Sequence, residues 1–200
     1  MTLCGFEIAP GEKRQVKLPV PGAAPLEAWL LCGAHPGKTL VVTAGVHGCE
    51  YVGILALQKL VETLDCATLY GQVILLPLVN SKGFFAGVKQ LNPADGKNLN
   101  REFPGKADGT ETQRMAWTIE KLLYPEADFL LDLHHIGGTL FHPACVEQFV
   151  ECTVADRHHY FFPAFFGLRI IAVLPATILP EVSNERSTSS SGSRLPTVVM

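Results

Sequence analysis

In the stretch Ala44 to Glu50 (AGVHGCE), His47 and Glu50 stand three positions apart, after a run of small residues and just before a helical pattern begins. An imidazole and a carboxylate placed in this way can meet one metal ion. Standing alone, an H-x-x-E pattern is more often a helix start or a satisfied core histidine, so its weight depends on what surrounds it. His134 closes a second apolar strand-like run, DFLLDLH. In an open α/β sheet, ligands gather at the carboxyl ends of strands, which brings His134 toward His47 and Glu50. Two histidines and one carboxylate are the usual protein ligands of a catalytic zinc ion, with a fourth position left for water.

Asp132 lies two residues before His134, so on a strand the two side chains share a face and the carboxylate can orient the imidazole from behind. The alternative for Asp132 is a solvated strand end. His135 competes with His134 as a ligand, because neighbouring strand residues point to opposite faces, and periodicity leaves that choice open. A third chemical element is Gly96 to Gly105 (GKNLNREFPG), where Asn100 and Arg101 sit among turn residues. The planar guanidinium fork pairs with a carboxylate through two hydrogen bonds, and a neighbouring amide can add another.

These residues need elements to hold them. Leu26 to Cys32 (LEAWLLC) and Lys38 to Gly45 (KTLVVTAG) are strand-like runs separated by the turn-rich GAHPG, which suggests a hairpin. From Tyr51 to Leu64, apolar residues recur at helical spacing. Gln72 to Val79 (QVILLPLV) is a continuous apolar run of strand length, as expected of an interior strand covered on both faces. Residues 80–109 show no sustained period, and a loop of that length points to function. Thr110 and Gln113 form a capping-box pattern that opens a helix running to about Tyr124, where Pro125 stops it. Asp128 to Leu133 then supplies another buried strand. The alternation of strand and helix sets the fold class as α/β.

AGVHGCE, LNPADGKNLNREFPG and LDLH, in this order and spacing, resemble the succinylglutamate desuccinylase and aspartoacylase family of zinc-dependent deacylases, relatives of the zinc carboxypeptidases. The resemblance spans roughly Leu26 to His134. It implies one zinc ion per chain held by His47, Glu50 and His134, and so selects His134 over His135. It also implies that Asn100 and Arg101 hold the carboxylate of a small-molecule substrate, and that the fold is a mixed, mainly parallel sheet flanked by helices, as in zinc exopeptidases. The expected reaction is hydrolysis of the amide bond of an N-acyl amino acid. The alternatives are a carboxypeptidase-type peptidase or a zinc-binding remnant without its general base. In the family a glutamate on a later strand is that base, and Glu181 and Glu185 are the acidic residues nearest a suitable position. Residues 1–135 are thus expected to form the catalytic part and residues 136–200 an atypical or divergent tail, in a shortened or divergent version of a longer enzyme.

Composition narrows the remaining classes. A chain of 200 residues with 48% hydrophobic content can bury one sizeable core. Its net charge of -3 comes with scattered basic residues, so no stripe exists to neutralise a phosphate backbone, and nucleic acid is not expected as a partner. The polar N-terminus lacks the apolar core of a secretory signal, and the expected location is cytoplasmic. The longest apolar run, Phe161 to Leu174, is interrupted by Pro163 and Arg169 and is too short to span a bilayer, so no membrane association is expected. The six cysteines show no close pairing and read as reduced, mostly buried thiols.

Overall fold

The computed structural model describes residues 1–135 and 150–156. The chain opens with a small hairpin of β1 (Thr2–Leu3) and β2 (Phe6–Glu7), followed by β3 (Lys13–Leu18), β4 (Leu26–Cys32) and β5 (His35–Ala44). Helix α1 (Tyr51–Thr63), β6 (Tyr70–Leu76) and the short α2 (Ser81–Phe85) come next. A 3-10 turn at Leu99–Arg101 precedes α3 (Glu111–Leu122), a second 3-10 turn at Tyr124–Glu126, β7 (Phe129–His135) and β8 (Val150–Asp156). The six strands from β3 to β8 form one sheet in the order β3-β4-β6-β5-β7-β8. Its centre, β6-β5-β7, is parallel, and its flanking pairs are antiparallel.

Strict alternation along the central strands explains why their sequences are continuously apolar. Val41, Ile74 and Leu76 join Met115, Ala116 and Ile119 of α3 in one core. Leu40, Val42, Ala44, Val73 and Leu75 join Leu57 and Val61 of α1 in the other. A sheet covered by a helix on each face buries both sets of side chains, and the strand then shows no polar stripe. Helix α3 begins where its capping pattern places it, with Gln113 Oε1 accepting from the Thr110 amide at 3.1 Å.

The expected hairpin of Leu26 to Cys32 with Lys38 to Gly45 does not form. β6 inserts between these two strands, pairing antiparallel with β4 and parallel with β5. The turn residues between them instead cross the end of β6, with the Gly33 amide donating to Gly71 O at 2.8 Å and the His35 amide to Leu69 O at 3.2 Å. Gly71 has φ +81°, and a Cβ there would lie 2.1 Å from Lys38 O, so the crossing needs glycine twice over. Turn chemistry marks a reversal of direction but carries no information about which strand fills the gap.

Residues 150–156 pair antiparallel with β7, which adds an edge strand to the sheet. Cys4, Cys32 and Cys66 are buried free thiols, as expected, whereas Cys49 is exposed. Among the described residues, no helix is long and apolar enough to cross a membrane.

Candidate metal centre

β5 ends at Ala44, Gly45 turns the chain with φ +63°, and His47 follows in the loop before α1. Glu50 is the residue that starts α1, and its amide donates back to His47 O at 3.1 Å. His134 lies on β7, the parallel neighbour of β5. Two adjacent parallel strands thus deliver His47, Glu50 and His134 to one end of the sheet. All three are buried, at 9%, 7% and 9% exposure.

The Glu50 carboxylate lies between the two imidazoles. His47 Nδ1 is 2.8 Å from Glu50 Oε1, and His134 Nδ1 is 2.8 Å from Glu50 Oε2. One ligand atom from each of the three residues falls within 4.8 Å of the others, close enough to hold one metal ion. The outer nitrogens are also engaged. His134 Nε2 is 2.7 Å from Asp132 Oδ2, and His47 Nε2 is 3.2 Å from Asn98 Oδ1. An oxygen acceptor behind each ring can hold a proton on Nε2, so Nδ1, which meets Glu50 in the metal-free chain, is the nitrogen placed to face a metal ion, the arrangement that metal-ligating histidines use. The donor set therefore fits a bound cation.

Without a cation, burial disfavours charge on His134, but its hydrogen bonds to Asp132 and Glu50 outweigh that cost and push its pKa up to about 10. Burial likewise opposes ionisation of Glu50, yet the hydrogen bonds from His134 and His47 hold its carboxyl down at about 2. The cluster stores positive charge on the histidine where a metal would replace it.

Asn100 and Arg101 belong to the 3-10 turn beside this cluster. The Asn100 amide approaches the ring of His134, with Nδ2 3.3 Å from Nε2. Arg101 is exposed, and its Nη1 is 3.4 Å from Asn100 O. Asn98, which the motif reading passed over, is the residue that caps this turn, its Oδ1 accepting from the Asn100 amide at 3.0 Å. Asparagine at the start of a helical turn is a recognisable signal, but its second contact, to His47, is visible only in three dimensions. Glu181 and Glu185 lie outside the described residues.

The loop that holds His47 packs tightly against α2. A Cβ on Gly48 would sit 2.5 Å from both Gly83 C and Phe84 N, which are backbone atoms that cannot swing away. Gly48→Ala should therefore lower stability by about 1–3 kcal/mol, the usual cost of forced overpacking. Equilibrium urea unfolding measures this, and an unchanged midpoint would show that α2 yields freely.

Comparison with known proteins shows the family. Residues 36–173 match the succinylglutamate desuccinylase/aspartoacylase catalytic domain family, reaching past the segment that carries the three motifs. The chain is 45% identical over 104 residues to an N-alpha-acetyl-L-2,4-diaminobutyric acid deacetylase of Halomonas elongata, covering 52% of this chain and 30% of that protein. It is similar to a crystal structure of a succinylglutamate desuccinylase/aspartoacylase from Rhodobacter sphaeroides, with TM-score 0.58 and 30% identity over 66% of this chain and 43% of that one. A metallo-carboxypeptidase from Burkholderia cenocepacia shares the fold, with TM-score 0.51 and 20% identity, over 64% of this chain and 37% of that one. The chain thus spans less than half the length of these relatives. The match over residues 36–173, the mixed sheet between two helices and the meeting of His47, Glu50 and His134 lead to one conclusion: the chain belongs to the succinylglutamate desuccinylase/aspartoacylase family.

Proposed function

We propose that this chain carries the zinc centre of a deacylase that hydrolyses the amide bond of a small N-acyl amino acid, with His47, Glu50 and His134 as the ligands of one zinc ion. The observation that carries this reading is the Glu50 carboxylate set between the Nδ1 atoms of two buried histidines, 2.8 Å from each. Zinc bound there would supply Lewis-acid chemistry, polarising an amide carbonyl and making water nucleophilic near neutral pH.

The chain's own residues supply the rest. Asp132 keeps the His134 proton on Nε2, and Asn98 does the same for His47, so both Nδ1 lone pairs face inward. Arg101 offers its fork to the substrate carboxylate, and its neighbour Asn100 reaches the ring of His134 with its side-chain amide. In the reaction a water oxygen adds to the amide carbon, the C–N bond breaks and the leaving nitrogen takes a proton. The products are a carboxylic acid and a free amine, without a covalent intermediate on the protein. The name of the Halomonas elongata relative suggests an N-acetylated diamino acid as one substrate to try.

Turnover of N-acetyl-2,4-diaminobutyrate, N-acetyl-aspartate, N-succinyl-glutamate and a short peptide by the zinc-loaded chain tests the reading. Release of amine from an N-acyl amino acid in preference to the peptide is expected, and preference for the peptide would move the assignment to a carboxypeptidase. Arg101→Ala should retain zinc while binding the N-acyl amino acid about 10- to 100-fold more weakly, the loss of a charge-assisted pair worth roughly 1.5–3 kcal/mol. Calorimetry of the zinc-loaded variant would count against this role if the affinity did not change.

A further inference from the structure

β5 is apolar along its buried length except for two threonines, and Thr43 is the one beside the metal centre. It is 5% exposed, so its hydroxyl needs a partner inside the protein. The sheet register provides one. Thr43 on β5 is the direct partner of Asp132 on β7, and the two side chains emerge together on the face that also presents His134. Thr43 Oγ1 donates to Asp132 Oδ1 at 2.6 Å, while Asp132 Oδ2 takes His134 Nε2 at 2.7 Å.

We infer that Thr43 is a positioning residue for the metal centre, acting through Asp132 on His134. This inference rests on the zinc reading above. A carboxylate can only accept, so the hydroxyl proton must point at Oδ1. That bond fixes the rotation of the Asp132 carboxylate and leaves Oδ2 aimed at the imidazole. Without it, Oδ1 loses its partner, and the carboxylate can turn toward water and away from His134. The ring would then lose both its fixed orientation and its preference for a proton on Nε2. Residues behind a metal ligand typically change affinity about 10- to 100-fold when removed, and Thr43 stands one bond further back, which places its effect near the lower end.

The test is zinc affinity of the full chain, measured by competition with a chromophoric chelator, for wild type, Thr43→Val and Thr43→Ser. Valine keeps the branched shape without the hydroxyl, and serine keeps the hydroxyl without the methyl. Thr43→Val should bind zinc about tenfold more weakly, and Thr43→Ser should stay close to wild type. Metal-free Thr43→Val should unfold cooperatively near the wild-type temperature, which separates the loss from a folding defect. Equal affinity in wild type and Thr43→Val would overturn the inference, as would an equal loss in both variants. Wild type that takes up no zinc would instead bring down the metal reading, and this inference with it.

Discussion

His47→Ala should lose its zinc at ordinary buffer concentrations while keeping its fold. Apparent binding energies of protein zinc sites are about 10–16 kcal/mol; shared over four positions, one ligand is worth on the order of 3–4 kcal/mol, or two to three powers of ten in affinity. His47 sits in a loop after β5 and not within the sheet, so its removal leaves both helix layers in place. It also releases Glu50 Oε1, while Oε2 keeps its hydrogen bond with His134. Chelator competition on the folded variant reads the affinity directly. Wild-type affinity in folded His47→Ala would remove this histidine from the ligand set.

The second large effect is linkage to pH. In the metal-free chain His134 holds its proton up to about pH 10, and its Nδ1 must be deprotonated to serve as a ligand. Between about pH 6 and 8, zinc binding should therefore release at least one proton, and apparent affinity should rise about tenfold per pH unit, or about a hundredfold across that interval. Calorimetry in buffers of different ionisation enthalpy counts the protons, and a pH-independent affinity would contradict the cluster described here. The stability of the metal-free chain carries the opposite sign. The His134 contribution, from a raised pKa, is fully present below about pH 6.5 and is lost as pH climbs through about 10. The Glu50 contribution, from a lowered pKa, is fully present above about pH 4.5 and is lost as pH falls through about 2. Metal-free protein should thus melt highest in mildly acidic buffer, while zinc-loaded protein gains as pH rises to neutrality.

The parts of the fold legible in the sequence are those whose signal is local. α1 and α3 show helical period, β6 and β7 show apolar runs, and Thr110 with Gln113 marks where α3 starts. β3 was not legible because KRQVKL carries only two buried residues among polar ones, as suits a strand with one hydrogen-bonded neighbour and a solvated face. Pairing is the other silent quantity. The turn between β4 and β5 looks the same whether the strands touch or flank a third, and here β6 separates them.

At the site, the H-x-x-E spacing marks His47 and Glu50 as candidates and strand alternation puts Asp132 on the face of His134, while the choice of His134 over His135 comes from the resemblance to the family and not from periodicity. The structure brings His47, Glu50, Asp132 and His134 together, with His134 against Glu50. Thr43 and Asn98 were not legible, because each acts through a partner distant in sequence, Asp132 for one and His47 for the other. A buried threonine in an apolar strand is at most a hint that some acceptor lies across from it.

X-ray absorption at the zinc edge of the loaded chain reads the ligand set itself. The expected result is two imidazole nitrogens at about 2.0–2.1 Å with carboxylate oxygen at about 2.0–2.2 Å and no sulfur. A sulfur shell near about 2.3 Å, which would implicate the exposed Cys49 next to Glu50, or an absence of stoichiometric zinc, would contradict it.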